Sequence, residues 1–337
     1  MDTGMNLQDE VDYGGSLGEI SNQQFDKALQ KLNLGRLVKV EKIQYGVVGQ
    51  NVFLTSTKGE YVFRGRPFYD EQFAVEKFAV EYLREKTNVN TAYPYIIDNN
   101  TDIFGFRYAI MPRLFGIQIA NGDTSILDLP KGERFKIARA MAEVLTEMHK
   151  CKYEPENLFP FRCGHENSET YPEWAIGRIK GGIEDLPDIT KDDIKYVDDI
   201  VEMNKDALLV PFELSFLMGD FKEDNVLLSN EKGEWKVCAV FDFAMVNFGD
   251  SERDLSRLYA MYSDEDRNLA KEFINTYVKL NPPREGFVSR FRLYSLMERI
   301  EIWRWVKNRG EGTWRDENIT LSKWLEPYLN IDLSEVN

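Results

Sequence analysis

The stretch from Met218 to Asp254 constrains this 337-residue chain most, because its pattern combines two short strands with a tight polar turn. A β-branched and apolar run, 226–228, is followed by a polar turn centred near Lys232 and Gly233. A second run with strand character, 235–241, comes next. Two such runs joined by a short polar turn predict a β-hairpin.

Three oxygen-bearing side chains lie around this hairpin. Asp220 and Asn225 precede the first strand, and Asp242 follows the second. Because the turn returns the chain to its starting end, we expect Asn225 beside Asp242, with Asp220 just outside. Carboxylate and amide oxygens suit Mg²⁺, which completes its shell with water and phosphate oxygens. Asp220 would then accept the proton of an attacking hydroxyl, as phosphoryl transfer from a nucleotide requires. The alternative is an ordinary aspartate-rich turn before a hairpin.

The D-x-x-x-x-N spacing of Asp220 and Asn225, together with the hairpin and Asp242, resembles the catalytic segment of the aminoglycoside phosphotransferase family. This family is the small-molecule branch of the protein-kinase-like fold. The sequence FGDSERDL, Phe248–Leu255, is similar to the start of the helix beyond the metal-binding aspartate, and AVFDFAMVNFGDS resembles hygromycin-type kinases. Two features depart from the usual patterns: Met218 stands where the family usually has His, and DFA replaces the DFG of protein kinases.

The resemblance implies an α+β, two-lobed protein-kinase-like fold with a β-rich N-lobe and a mainly helical C-lobe. It implies that Asp220 is catalytic, that Asn225 and Asp242 hold Mg²⁺, and that ATP or GTP is the phosphoryl donor. The γ-phosphoryl group would pass to a hydroxyl of a small, cationic molecule. An aminoglycoside-type antibiotic is the leading acceptor class, so we expect an antibiotic-resistance kinase.

The N-lobe is expected to bind the nucleotide. A glycine-bearing turn with Gly46 and Gly49 could let backbone N–H groups approach phosphates, although a plain hairpin turn fits equally well. Arg64 occupies the position of the phosphate-gripping lysine of kinases, and a guanidinium can clamp a phosphate bidentately. Glu76, on the helix that follows, is the candidate ion-pair partner of Arg64. The alternative for Glu76 is a solvated helix position.

A buried-strand pattern, 104–111, is stopped by Pro112. In the resembling family this strand leads into the hinge whose main chain holds the adenine ring, which gives Met111, Arg113 and Leu114 as candidate nucleotide-binding residues. We therefore expect three parts: a flexible N-terminal tail (1–20), a nucleotide-binding N-lobe (21–112) and a C-lobe with the catalytic loop, metal site and substrate pocket (113–337).

The C-terminal helical segments are expected to supply the carboxylates that bind a cationic acceptor, as in related kinases. The sequence does not choose among five candidates: Asp264, Glu265, Asp266, Glu298 and Glu301. A second acidic stretch, 184–206, carries nine acids against three lysines. It fits a solvated helix face, or the wall of an anionic pocket that attracts a cation.

Composition excludes several classes of function. The net charge of −15 argues against a nucleic-acid partner, whose phosphates would be repelled, and is compatible with a cationic substrate. Three cysteines without a C-x-x-C pair indicate neither a disulfide framework nor a zinc site. His149 is interpreted as structural and His165 as an isolated loop residue. With no leader or membrane-spanning pattern, we expect a cytoplasmic monomer or weak dimer without a membrane partner.

Three alternative functions stay open at this point. The first is a metabolite kinase of the same fold, acting on a compound of the choline, homoserine or methylthioribose class. The second is a non-catalytic nucleotide-binding relative, which Met218 would fit. The third is a serine hydrolase built on Ser16, because Gly14 to Gly18 match the G-x-S-x-G pattern. That motif requires a preceding core strand and a following helix, and a terminal tail favours coincidence.

Overall fold

A computed structural model describes residues 10–12, 17–43, 50–119, 128–154, 170–184, 186, 189–309 and 319–330. The chain divides into two compact units. The first comprises Met1–Ser125, Asp224–Ser229 and Val237–Val246, and the second comprises Ile126–Glu223, Asn230–Lys236 and Asn247–Asn337. Strands dominate the first unit and helices the second, as the α+β prediction requires.

The first unit is built on a five-stranded antiparallel sheet in the order β3-β4-β5-β7-β6. Its elements up to residue 112 are β1 (Glu10–Asp12), β2 (Glu19–Ser21), α1 (Asn22–Lys31), β3 (Leu37–Lys42), β4 (Asn51–Ser56), β5 (Gly59–Gly65), α2 (Gln72–Lys86), β6 (Ile96–Asp98) and β7 (Tyr108–Pro112). Strands β1 and β2 form a separate antiparallel pair.

The core of the first unit forms where α1 packs on this sheet. Phe25 of α1 meets Phe63 of β5 edge-to-face, with ring centroids 5.1 Å apart, and both side chains are buried. Leu17 and Ile20 are buried in the same cluster. These two apolar side chains lie within the predicted tail, 1–20, and they join the core before α1 begins. Residues 13–16, including Ser16, lie outside the described part of the chain.

Asp98, at the end of β6, ties α1 to the sheet. Its carboxylate is 2.7 Å from Lys31 Nζ, and it accepts hydrogen bonds from the Tyr108 hydroxyl (2.8 Å) and from the backbone N–H of Asn100 (3.0 Å). Burial alone would raise the pKa of Asp98, but these donors outweigh it and hold the pKa at about 2. Asp98 therefore stabilises the folded state in its charged form.

We expect Asp98→Asn to lower the free energy of unfolding by about 2 kcal/mol at pH 7, the value of a pKa depressed from 3.8 to about 2. A depressed pKa gives stability that is complete above the unfolded-state pKa and is lost as the pH falls towards 2. Urea denaturation at pH 7 and at successively lower pH should therefore show the difference shrinking below pH 4. Asp102→Asn, at an exposed partner of Lys31, is the control. Equal losses for both variants would contradict this account.

The second unit contains most of the helices. Its elements are α3 (Lys131–His149), α4 (Tyr171–Glu184), α5 (Lys191–Asn204), β8 (Ser215–Leu217), β11 (Asn247–Gly249), α6 (Leu255–Glu265), α7 (Arg267–Leu280), α8 (Phe287–Arg309) and α9 (Leu321–Leu329), and the hairpin strands β9 (Val226–Glu231) and β10 (Glu234–Val240) lie between β8 and β11 in the chain. One core cluster joins α4, α5, α8 and α9 through buried apolar side chains such as Ile179, Val201, Leu293 and Leu325. Within the described ranges, no helix combines the length and apolar composition needed to span a membrane.

The predicted hairpin is present as the pair β9–β10. The first unit includes the segment that follows Pro112. Ile117 and Leu228 form a two-way backbone bridge, with N–O distances of 2.8 and 2.9 Å, so the segment after β7 is attached to the hairpin. Pro112 was expected to end the strand, but the Arg113–Glu60 backbone hydrogen bond and the Ile117–Leu228 bridge come after it.

Candidate active site

The hairpin places Asn225 next to the residues that end its second strand. The backbone N–H of Phe241 donates to the Asn225 carbonyl at 3.0 Å, and Asp242 follows directly. Asn225 is buried, whereas the Asp242 side chain is 39% exposed. The two side chains predicted to hold a metal are thus brought to one end of the hairpin within the first unit.

Asp242 adopts a left-handed backbone conformation, with φ of 66°. Aspartate tolerates this region better than most residues, and such strained positions cluster at functional sites. The residues after it are fixed: Phe243 is buried, and the Ala244 carbonyl accepts a 2.6 Å hydrogen bond from the Tyr69 hydroxyl. The turn that contains Asp242 therefore fixes the direction of its side chain.

Arg64, in β5, joins the carboxylate of Asp242 to that of Glu76. Its NH2 is 2.9 Å from Asp242 Oδ1, and its NH1 is 3.0 Å from Glu76 Oε2. The Arg64 side chain is only 8% exposed. Burial would lower the pKa of Arg64, but the two carboxylates outweigh burial and raise it, so the guanidinium stays charged. The predicted Arg64–Glu76 pair is present, and Arg64 also holds Asp242, which the sequence did not indicate.

Glu76 is fixed by two further side chains in the first unit. The Gln72 side-chain amide, one turn earlier on α2, donates to Glu76 Oε1 at 2.7 Å. The Tyr95 hydroxyl donates to Oε2 at 2.8 Å. Glu76 is therefore a buried anchor for Arg64 rather than a solvated helix residue.

Asp220 belongs to the second unit, in the loop after β8. The backbone of this loop is held by Asp254, whose carboxylate accepts hydrogen bonds from the N–H groups of Met218 (2.6 Å) and Gly219 (2.9 Å). Gly219 has φ of 76°, a conformation that favours glycine. Asp254 thus sets the shape of the loop that presents Asp220.

Met218 is fully buried, so its side chain packs in the core at the position where the family usually has His. A different histidine contacts the same anchor. His149, at the end of α3, places Nε2 3.4 Å from Asp254 Oδ2, and its Nδ1 lies 2.7 Å from the Tyr277 hydroxyl. The structural interpretation of His149 was right in kind, but its contact with the loop anchor was not predicted.

The Asp220 carboxylate lies between two cations of its own unit. Lys222 Nζ is 2.8 Å from Oδ2, and Arg257 NH2 is 3.2 Å from Oδ1. Arg257 comes from the first turn of α6, and its NH1 is 2.9 Å from Glu298 Oε1 of α8. Neither Lys222 nor Arg257 was singled out from the sequence.

The predicted hinge residues differ in whether their backbone N–H and C=O groups pair with β5. Met111 pairs with Val62, and the Arg113 N–H donates to the Glu60 carbonyl at 3.0 Å. Since alternate residues of an antiparallel strand direct their backbone groups to the same side, Met111 and Arg113 face β5. The backbone groups of Leu114 would face the opposite side. Leu114 lies beyond the end of β7 and stays a predicted nucleotide contact.

The Arg113 side chain lies over the Phe53 ring, 3.9 Å from its centroid, and contacts Glu60 at 3.0 Å. It is therefore engaged on the sheet itself. Gly46 and Gly49, the other predicted nucleotide-binding residues, lie outside the described residues, as does His165.

Each acidic residue considered for substrate binding has a partner within the chain, although Asp264, Glu265 and Glu301 are exposed. Asp264 accepts a hydrogen bond from Tyr328, Glu265 pairs with Arg134, Asp266 caps α7 by accepting from the Asn268 N–H, Glu298 pairs with Arg257 and Arg299, and Glu301 pairs with Arg178. Asp266 also lies between the end of α6 and the start of α7. That this set binds a substrate cation stays a prediction, and these contacts show which partners a substrate would compete with.

Comparison with known protein families decides the class. The family model described as the phosphotransferase enzyme family matches residues 39–287, well over half of the chain. The chain belongs to this family. It is therefore a phosphotransferase that acts on a hydroxyl group.

Solved structures agree on the fold of this phosphotransferase. An aminoglycoside phosphotransferase assigned in Ralstonia eutropha is 17% identical with a TM-score of 0.63, covering 92% of this chain and 96% of the other. APH(4)-Ia in ternary complex with ADP and hygromycin B is 14% identical with a TM-score of 0.61, covering 90% and 96%. Aminoglycoside 2′-phosphotransferase-IIIa with GDP is 15% identical with a TM-score of 0.60, covering 89% and 94%. At these identities the likeness shows the predicted protein-kinase-like fold. A sequence comparison with curated proteins gave no match.

The donor atoms of this phosphotransferase fit a magnesium site. Asn225 offers an amide oxygen, and Asp242 offers a partly exposed carboxylate of which Oδ1 contacts Arg64. Mg²⁺ is bound in nucleotide enzymes by one or two carboxylates together with water and phosphates, so two protein oxygens suffice. Among the described residues, no cluster of three or more metal-binding His, Cys, Asp or Glu side chains occurs.

Proposed function

We propose that this phosphotransferase moves the γ-phosphoryl group of ATP or GTP to a hydroxyl of a small molecule. The observation that supports this most is the link from Glu76 through Arg64 to Asp242, beside Asn225. Burying a cation between two carboxylates costs desolvation free energy. A site that binds a nucleotide polyphosphate uses such a fixed cation to stabilise the phosphate charge.

Each residue has one proposed task. Asp220 accepts or orients the proton of the acceptor hydroxyl. Asn225 and Asp242 hold Mg²⁺, which would neutralise charge on the phosphate oxygens. Arg64 donates to a phosphate, and its Nε is a buried donor that has no partner among the described residues. Glu76 keeps Arg64 in place.

Leu114 is the proposed contact for the adenine or guanine edge. Its backbone N–H lies on the side of the strand that faces away from β5, and the Pro112 carbonyl, two residues earlier, shares that direction. A donor and an acceptor at this spacing can pair with the edge of a purine. Met111 and Arg113 would support the strand through their pairing with β5.

The observations on the acceptor molecule favour two different classes. Three of the similar solved structures contain hygromycin B or kanamycin, and the chain is strongly acidic. Together these favour an aminoglycoside and a role in antibiotic resistance. The internal pairing of all five candidate carboxylates favours the alternative, a metabolite kinase. A cytoplasmic location and a monomer or weak dimer accompany either proposal.

The test is a phosphorylation screen with ATP and with GTP, in Mg²⁺ and in chelator, over aminoglycosides, amino alcohols, sugars and hydroxy acids. The expected result is a Mg²⁺-dependent mass gain of one phosphate on at least one acceptor. Nucleotide binding without any phosphorylated acceptor would favour the non-catalytic relative instead. A fluorophosphonate probe tests the hydrolase alternative at Ser16.

A further inference from the structure

Two cationic side chains flank the carboxylate of Asp220, although the chain as a whole is acidic. Lys222 and Arg257 contact opposite oxygens of its carboxylate, at 2.8 and 3.2 Å. The three side chains are each between 20% and 25% exposed. A molecule that brings a hydroxyl to Asp220 therefore meets both cations.

The carboxylate of Glu298 balances the charge of Arg257. Glu298, which receives Arg257 NH1, is also contacted by Arg299, with NH2 2.8 Å from Oε1. Burial would raise the pKa of Glu298, but the two arginines outweigh it and lower the pKa, so Glu298 is charged. Glu298 therefore holds Arg257 in place, while Lys222 and Arg257 both stay partly exposed beside Asp220.

Both cations keep donors for a ligand. An ammonium has three donors and a guanidinium has five. The contacts above use one donor of Lys222, to Asp220, and two of Arg257, to Asp220 and Glu298. Carboxylate and phosphate oxygens are the groups that such donors bind most strongly.

We propose that the acceptor carries an anionic group near its reactive hydroxyl, and that Lys222 and Arg257 bind this group. A hydroxy acid, a sugar acid or a phosphorylated alcohol has this chemistry, whereas an aminoglycoside does not. The inference rests on the proposed kinase activity and names the acceptor class of the same site. Arg257 is also held in place by Glu298, so Glu298 acts on the acceptor only through Arg257.

The test uses acceptor pools that differ in charge: sugar acids and hydroxy acids, phosphorylated sugars, neutral sugars and polyols, and amino sugars with aminoglycosides. Phosphate transfer from Mg²⁺-nucleotide is measured by mass for each pool. Turnover in the carboxylate or the phosphate pool is expected, and the two pools distinguish these anions. Turnover only with neutral or cationic pools would overturn the inference and leave the kinase function intact. No turnover in any pool would overturn the kinase function itself.

Substitutions then test whether Lys222 and Arg257 bind the anionic group of the acceptor. Lys222→Met and Arg257→Lys should raise the KM for the anionic acceptor about 10- to 100-fold, the effect of losing a hydrogen bond to a charged group. The KM for nucleotide should be unchanged, and kcat should change much less than the acceptor KM. Lys205→Met, which removes a surface lysine paired with Glu202, is the matched control. An equal fall in kcat with every acceptor, at unchanged acceptor KM, would instead place these cations on the transferred phosphoryl group.

Discussion

Asp220→Ala is expected to bind nucleotide like the parent protein and to turn over about 10²- to 10⁴-fold more slowly, the usual contribution of a positioned proton acceptor. The loop that carries Asp220 is held by Asp254 through the backbone of Met218 and Gly219, so removing the Asp220 side chain leaves its frame intact. The measurements are kcat with the acceptor found in the screen and nucleotide affinity by titration.

The control for this prediction is Asp206→Ala, at an exposed position of the second unit. Its turnover should equal that of the parent. If Asp220→Ala also kept full turnover, Asp220 would not be the group that handles the hydroxyl proton. A simultaneous loss of nucleotide binding would indicate a structural role for Asp220, and the proton-acceptor role would again fail.

Arg64→Met is expected to lower the free energy of unfolding by about 3–5 kcal/mol, because it leaves the buried Glu76 and the partner Asp242 without their cation. Chemical denaturation of the two proteins at pH 7 measures this. The large value follows from burial, since exposed ion pairs contribute about 0–1 kcal/mol. Lys77→Met, at an exposed pair with Glu81 on α2, should stay within that smaller range.

A second substitution separates the ion pair from the packing of the Arg64 stem. Adding Glu76→Gln to Arg64→Met removes the unpaired carboxylate and should restore part of the lost stability. A single Arg64→Met loss below about 1 kcal/mol would mean that Arg64 is not the buried link that its distances indicate.

Local sequence patterns carried much of this site. The hairpin fixes the proximity of Asn225 and Asp242, because a short turn leaves the two strands little choice of partner. Arg64 and Glu76 follow from a strand and the next helix, which are close in the chain. The pairs Asn225–Asp242 and Arg64–Glu76 could therefore be predicted, whereas the contact of Arg64 with Asp242, 178 residues apart in the chain, could not.

The contacts of Asp220 could not be predicted in the same way. Arg257 reaches Asp220 from α6, and His149 reaches Asp254 from α3, so both contacts depend on how helices of the second unit pack. The sequence FGDSERDL contained Asp254, yet nothing local shows that its carboxylate caps the loop at Met218. The one sequence feature that could have pointed to Arg257 is its position in the first turn of α6, three residues after Asp254.

For the predicted substrate carboxylates, the sequence left the partners within the chain open. Acidic residues on C-terminal helices fit an amine-binding wall, but a sequence does not reveal which of them already have partners. Glu298 is the clearest example, because two arginines contact it and lower its pKa. The helical pattern predicted that Glu298 lies on a helix. Its contact with Arg257 depends on how α6 packs against α8.

The most direct test of the central claim is ³¹P NMR of the protein with Mg²⁺, nucleotide and the pooled acceptors, run beside Asp220→Ala. We predict a phosphate monoester signal that grows as nucleoside diphosphate forms in the parent sample and is nearly absent in the variant. Nucleotide that stays bound and intact with every acceptor, or a monoester that forms equally fast in the variant, would contradict the proposed kinase.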